Sequence, residues 1–301
     1  MNSQEKAPLI SIALCTYNGE KYLEKQLDSL INQTYPNVEI IAVDDCSNDS
    51  TLNILRTYSE KYKNIAVYSN DANLGYSKNF EKAIMLCKGE YITVSDQDDI
   101  WHLEKLAVLH KNIGDNLLIY AKSEIINSDG ELTSQTSMDK QTPYSGSDPR
   151  TITLICYTWG HNMMFKKELI PLALPLPEKV SYDWFIGAAA LNYGCIQYLD
   201  QTLVYHRRHN KSTTFLKYKN RKGRSDTLKY YVRGVLTLKD LKYETFFKKM
   251  HRILEKDSFI AHLRLLFFLI RYKSILFIIS TKSTLSKLNY IRIIAFRGIK
   301  A

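Results

Sequence analysis

The chain has no CxxC pair, and its five cysteines, Cys15, Cys46, Cys87, Cys156 and Cys195, stand far apart. That spacing suits neither a zinc centre nor a disulfide framework, and it points to reduced thiols in a cytosolic protein. No GxGxxG follows the first apolar run and no GxxxxGKS occurs anywhere, which argues against a dinucleotide fold and a P-loop. The start, MNSQEKAPLI, lacks the basic stretch and long apolar run of a signal peptide. The greasiest stretch, FIAHLRLLFFLIRYKSILFII, is broken by Arg264, Arg271 and Lys273. It offers no clean span of about 18–20 apolar residues for crossing a bilayer.

Acidic side chains are scarce, but only at one end. Residues 1–200 carry 17 Lys and Arg against 26 Asp and Glu, a net of −9, whereas residues 201–301 carry 24 against 5, a net of +19. Such a split suggests an acidic body that holds the chemistry and a basic end that meets something anionic. Nucleic acid, phospholipid headgroups and a phosphorylated substrate all qualify. At 301 residues there is ample length for one large domain or two.

What is present is an alternation. LISIALCTYN, VEIIAVDDCSNDS, NIAVYSN, EYITVSDQDD and NLLIYAKSEIIN read as strands. EKYLEKQLDSLINQ, TLNILRTYSEKY, SKNFEKAIMLCKG and HLEKLAVLHKN between them read as helices. Ser50 or Asp49 would cap the second helix, and Gly89 would stop the third. NSDGELTSQTSMDKQTPYSGSDPR reads as a hairpin plus a mobile loop, and EKVSYDWFIGAAALNYG as a later helix. The expectation is an α/β fold, a mostly parallel sheet with helices on both faces. Ligands bind such sheets beyond the carboxyl ends of the strands. Three of those ends carry polar clusters: Thr16-Tyr17-Asn18, Asp44-Asp45, and Asp96 to Asp99.

The last cluster, in YITVSDQDDIW, crowds three carboxylates into four positions. Carboxylates that close repel one another, so either the loop is merely solvated or a cation sits there. A divalent ion such as Mg²⁺ or Mn²⁺ prefers oxygen ligands and is satisfied by one or two carboxylates when phosphates supply the rest. Asp44 and Asp45 alone read equally as a helix entry.

The order CTYNGEKYLEKQLDSLINQTYPNVEIIAVDDCSNDST, NLGYSKNFEKAIMLCKGEYI and SDQDDIW resembles the nucleotide-sugar domain of family 2 glycosyltransferases. These are inverting enzymes of the GT-A fold. The resemblance covers residues 8–110 closely and 111–215 more loosely. It implies that Thr16, Tyr17, Asn18 and Glu20 line the nucleotide pocket. Asp45 would accept a hydrogen bond from the pyrimidine, with Asp44 in support. Asn73, Gly75, Lys78 and Asn79 would flank the nucleoside and ribose. Asp96 and Asp98 match the DxD, with Asp98 the direct metal ligand. Asp99 would hold the loop or cap the next helix, and Trp101 would pack beneath it.

Inverting transfer needs a base for the acceptor hydroxyl. Asp183 in SYDWFIG matches the family's base, although Tyr182 stands where the family often has Glu. A first-turn acid at a helix N-terminus is the bland alternative. In YHRRHNKST, His209 matches a position that ligates metal or touches phosphate. Arg207 and Arg208 would stabilise the leaving diphosphate or simply form a solvated basic run. Lys211 and Ser212 would belong to a loop closing over the donor. Trp159, Gly160, His161 and Asn162 match the acceptor pocket, though a lone His is more often structural.

The sequence therefore points to a GT-A domain over 1–224, with a nucleotide-binding half at about 8–110 and an acceptor half at about 111–224. A basic helical region follows over 225–301. The implied cofactor is Mn²⁺ or Mg²⁺. The donor is a nucleotide-diphosphate sugar, dTDP-rhamnose or a UDP-sugar, since SDQDDIW resembles bacterial rhamnosyltransferase-like members of surface polysaccharide synthesis. The acceptor would be a glycan, free or lipid-linked. The basic end would lie on an anionic membrane surface at the cytoplasmic face, or pack on the body or on a second subunit of a homo-oligomer. The competing reading, a basic module that binds nucleic acid or another polyanion, leaves the strand-end carboxylates unexplained.

Overall fold

A computed structural model describes residues 7–139, 141–209 and 224–296. Its first part alternates as the sequence pattern requires: β1 (Ile10–Thr16), α1 (Glu20–Ile31), β2 (Val38–Asp44), α2 (Thr51–Lys61), β3 (Ile65–Ser69), α3 (Tyr76–Leu86) and β4 (Tyr91–Ser95). Then come β5 (Ile100–Trp101), α4 (Lys105–Ile113), β6 (Leu118–Ile126), β7 (Leu132–Thr136), β8 (Met163–Lys166), α5 (Ile170–Ala173), α6 (Tyr182–Tyr193) and β9 (Ile196–Arg207). The nine strands form one sheet in the order β3-β2-β1-β4-β8-β6-β9-β5, with β7 on β6. Strands β3, β2, β1 and β4 are mutually parallel, so the residues after Thr16, Asp44 and Ser95 emerge at one edge. β8 runs antiparallel between β4 and β6, and β9 returns parallel to β6. The short β5 pairs antiparallel with β9, Ile100 opposite Tyr205. That pairing sets the chain after Asp99 against the chain before His206.

Both faces of the sheet are covered, which is why β1 is buried along its whole length. Ile10, Ile12 and Leu14 join Leu23, Leu27, Leu30, Leu106 and Leu109 in one apolar cluster. Ala13 and Cys15 join Phe80, Ile84 and Phe185 in the other. All five cysteines are free thiols.

Several local expectations change. α3 ends at Leu86, and Cys87 after it is extended. Gly89 lies further on, where a Cβ would meet the Leu9 carbonyl oxygen at 2.6 Å. It is glycine because β1 passes so close, not because it stops a helix. At the start of α2 the Ser50 side chain makes no cap. Asp49 accepts from Thr51 N at 3.0 Å and Glu20 accepts from Ser50 N at 2.9 Å. The stretch after the β6–β7 hairpin is tied to the body rather than loose. Ser137 N donates to Ser123 O at 2.8 Å, Thr142 N to Ile279 O at 2.7 Å, and Gly146 exchanges hydrogen bonds with Ile196.

The basic end is helical over Arg224–Val235, Glu244–Leu254, Phe259–Arg271, Lys273–Leu276 and Thr284–Phe296. Among the described residues no helix is long and apolar enough to cross a membrane. Leu228, Tyr231, Phe247, Met250, Leu269 and Ile291 fall in the same cluster as Phe185, Ile186 and Leu191 of α6. The indole of Trp184 stacks on Tyr231, centroids 4.3 Å apart. These helices thus complete the core on one face of the sheet. Phe247 is fully buried in that shared cluster. Phe247→Ala should cost about 3–5 kcal/mol, and calorimetry should show a single transition moved to lower temperature. Two separate transitions would mean that the helices fold as an independent unit.

Candidate active site

Three loops meet beyond the carboxyl ends of β1, β2 and β4, and each is fastened to the next. Thr16 Oγ1 donates to Asp44 Oδ1 at 2.8 Å, and Asp44 also accepts from Ser47 N and Oγ. Asn18 has a positive φ of 47°. It donates its N–H to Ser47 Oγ and accepts from Asn48 N. Glu20 holds Ser50 N, as described above. Tyr17 remains 44% exposed at the rim. The DxD loop is bound to this assembly through Gln97, whose amide accepts from Tyr17 N at 2.8 Å and donates to Tyr17 O at 3.0 Å.

Asp45 is only 2% exposed. Its carboxylate accepts from Asn70 Nδ2 at 2.7 Å, Leu74 N at 2.8 Å and Gly75 N at 2.9 Å. It therefore braces the 70–75 loop, using three of a carboxylate's roughly four acceptor sites. Gly75 follows at φ 80° and ψ 156°, a backbone region essentially open only to glycine. Asn73 closes the same turn, donating to Asp45 O and accepting from Gly75 N. Asn79 is buried, donating to Val43 O and accepting from Asn70. It braces β2 against the 70–75 loop. Lys78 pairs with Glu81 at 2.9 Å on an exposed helix face.

The three carboxylates of the DxD loop have different surroundings. Asp99 is fully buried. It accepts from Arg207 N at 3.0 Å and pairs with His206 Nδ1 at 3.0 Å. Burial works to raise its pKa, but the charge and hydrogen bond of His206 prevail and hold it at about 2. Burial likewise works to lower His206, and Asp99 beside it raises it above 6.5. Asp99 thus holds the loop; it caps no helix, since α4 begins after Glu104. Asp96 has the opposite fate. Burial, then the charges of Asp99 and Asp98, push its carboxyl well above the usual range. Asp98 Oδ2 meets His209 Nε2 at 2.7 Å, and the His209 ring lies 5.1 Å from that of Tyr22.

Arg207 differs most from expectation. It is 1% exposed, and its guanidinium donates to the main-chain oxygens of Asp98, Asn127 and Ser128. It lies over the Tyr22 ring, 4.6 Å from the centroid. Through Nε and Nη1 it clamps the backbone of the DxD loop and the hairpin turn. Arg208 is exposed and donates to Gln135 at 3.2 Å, away towards β7. Lys211 and Ser212 lie outside the described residues.

Asp183 sits in the first turn of α6, bonded to Ser181 Oγ and accepting from Trp184 N at 2.8 Å. Its charge contributes to the raised pKa of Asp96. At Tyr76, burial acts first and then the charges of Asp183 and Asp96. Asp183 therefore lies close to Asp96 of the DxD loop and to Tyr76. Trp159 to Asn162 lie between α6 and the sheet. Gly160 packs against the Tyr182 hydroxyl, and Asn162 donates to Ala121 O at 2.7 Å.

Which residues suit a cation? Asp99, His161 and His206 bring ligand-type atoms within 4.8 Å of one another. Their two rings, however, stack at 4.3 Å with planes 6° apart. Imidazole lone pairs lie in the ring plane, so stacked rings cannot both point at one ion. His161 instead meets Ser123 Oγ at 2.8 Å, and burial, with His206 beside it, lowers its pKa to about 3. That trio is a structural brace. Asp98 and His209, with Asp96 beside them, make the better donor set, of carboxylate oxygens and one imidazole. A cation beside Asp96 would oppose the burial and the neighbouring carboxylates that raise its pKa.

Residues 11–171 match the sequence profile of the glycosyl transferase family 2. The chain belongs to that family. It is 29% identical over 230 residues to an uncharacterized glycosyltransferase of Haemophilus influenzae, covering 70% of this chain and 68% of that one. It is 28% identical over 266 residues to the dTDP-rhamnosyl transferase RfbG of Shigella flexneri, covering 82% and 86%. In fold it is similar to S. aureus TarS 1-349 in complex with UDP-GlcNAc, with a TM-score of 0.63 at 20% identity over 96% of this chain and 89% of that one. It is also similar to the mannosyltransferase PcManGT of Pyrobaculum calidifontis in complex with GDP-Man and Mn²⁺, with a TM-score of 0.56 at 16% identity over 90% and 76%. The protein is a glycosyltransferase of the GT-A fold, with a helical region after it.

Three residues of this glycosyltransferase site were not singled out from the sequence. Gln97 lies inside the DxD itself. His206 lies inside YHRRHNKST. Lys105 reads as a surface helix charge in HLEKLAVLHKN, yet it is fully buried, donating to His161 O at 2.7 Å with its Nζ 3.0 Å from the Trp101 ring centroid. Burial pushes its pKa well below the usual range.

The His206–Asp99 pair gives a pH signature. A His raised in the fold stabilises fully below its unfolded value near 6.5, and that contribution fades as pH climbs through the folded value. The Asp99 contribution is present above 3.8 and fades as pH falls through about 2. Urea unfolding from pH 5 to 9 should show stability falling on the alkaline side, and His206→Gln should flatten that fall. An unchanged slope in the variant would remove the pair from the account.

Proposed function

We propose that the chain transfers a sugar, with inversion, from a nucleoside diphosphate donor to a hydroxyl of a growing surface glycan. The observation that carries this is the placement of Asp183 close to Asp96, in the loop that also carries Asp98. Thr16, Tyr17, Asn18 and Glu20, with the loop braced by Asp45, form the nucleotide side. Asn73 and Gly75 shape its rim. Asp98 and His209, aided by Asp96, would hold Mn²⁺ or Mg²⁺, which supplies positive charge to the donor's diphosphate.

The reaction is a single displacement. The acceptor oxygen bonds to the anomeric carbon as the bond to the diphosphate oxygen breaks, and that oxygen keeps the electron pair. The acceptor proton passes to the Asp183 carboxylate. Ser181 Oγ and Trp184 N bond to Asp183 and so hold it in place for that transfer. The residue range 1–224 would be the catalytic unit, nucleotide-binding over about 8–110 and acceptor-binding over about 111–224.

Likeness to a named dTDP-rhamnosyl transferase favours dTDP-rhamnose. The UDP-GlcNAc bound in a fold neighbour keeps UDP-sugars beside it. A lipid-linked acceptor would bring the enzyme to the cytoplasmic face of the membrane, with the basic end towards anionic headgroups. A polyanion-binding module is disfavoured, because the polar cleft is acidic.

Asp183→Asn should lower kcat by about 10²–10⁴ while leaving donor affinity near wild type. Asp98→Ala should abolish Mn²⁺-dependent donor binding in calorimetry with the melting temperature little changed. Transfer that survives both substitutions, measured over dTDP-, UDP- and GDP-sugars, would sink the assignment.

A further inference from the structure

We infer that the helix Phe259–Arg271 carries a docking surface for an anionic lipid bilayer. This deepens the reading above, from which it takes only the reason for such a surface, the lipid-linked acceptor.

The helix is apolar on two faces where a soluble helix needs one. Ala261, Leu265, Phe268 and Leu269 are buried against the body. Phe259, Ile260 and Phe267 are 64%, 62% and 66% exposed. At 100° per residue, Ile260 and Phe267 share one side, roughly opposite the buried stripe, with the half-buried Leu263 and Ile270 beside them. Arg264 and Arg271, both exposed, lie one above the other on its flank. Arginine there keeps its head in water while its stem lies along apolar surface. A face of large apolar groups edged by arginine suits a headgroup–acyl boundary.

Charge decides the occupant. Asp257 is the last acidic residue of the chain, and from Ser258 onward there is no Asp or Glu. Arg264, Arg271, Lys273, Lys282, Lys287 and Arg292 all fall in that acid-free stretch. A second copy would present the same positive face and repel it, whereas an anionic leaflet attracts it. The acidic body opposes any general attraction to polyanions.

Cosedimentation of the full chain with phosphatidylcholine vesicles, with and without phosphatidylglycerol, tests this without any donor present. Binding should need the anionic lipid and weaken with salt. Ile260→Glu/Phe267→Glu should lower the partition coefficient about tenfold or more. Arg264→Gln/Arg271→Gln should reduce the salt sensitivity. Both variants should keep the wild-type melting temperature and donor binding in solution. Wild-type vesicle binding by Ile260→Glu/Phe267→Glu would overturn the proposal. So would a chain that ignores vesicles but sediments as a dimer which that variant dissociates. Loss of donor binding in every form would count against the catalytic reading, not this one.

Discussion

Three carboxylates at the end of one strand set the terms for the rest of the cleft. The protein settles one of them itself. Asp99 is taken into the interior and matched by His206 and by the Arg207 amide. That match is possible because β5 pairs with β9, which joins parts of the chain more than a hundred residues apart. Of the other two, Asp98 meets His209 at 2.7 Å, while burial and then the neighbouring carboxylates raise the pKa of Asp96. A buried guanidinium stands close by, yet Arg207 turns its Nε and Nη1 to carbonyl oxygens. The fold thus fixes the loop's shape without cancelling its charge. Under the proposed reading, a loop shaped in this way would leave room for a cation that arrives with the donor.

The same division explains the inward-facing residues of the nucleotide side. Asp44, Asp45 and Asn79 hold loops in place, and the rim is left to Tyr17, Asn73 and main chain. Loops carry little packing of their own, so their precision has to come from buried hydrogen bonds. A charged brace such as Asp45 does this with one side chain for three donors.

How much of this could be read from the sequence follows from range. Strand–helix alternation is local, and β1 to β4 and α1 to α4 lie where the apolar periodicity sets them. The strand-end clusters were legible because parallel strands put like ends at one edge. The roles of single polar side chains were not. Arg207 in YHRRHNKST looks like a solvated patch until β9 is known to run beneath the hairpin turn. Lys105 looks like a surface charge until α4 is seen to lean on Trp101 and His161. Gly89 looks like a helix stop until β1 passes over it. In each case the deciding neighbour is far away in sequence, and spacing carries no record of it.

The basic end is where charge and packing give different answers and both hold. Its net charge sets it apart from the acidic body, yet its apolar residues run without a break into the core around α6. The contact is close to the proposed chemistry: Trp184, which stacks on Tyr231, is the residue next to Asp183 and donates its amide to that carboxylate. A helix seated on a bilayer by one face and in this core by the other would be a rigid mount rather than a tether. The orientation of the cleft towards the membrane would then be fixed by side-chain packing. A lipid-linked acceptor, confined to two dimensions, gains most from such a mount, because its hydroxyl need only reach a base held at a set height.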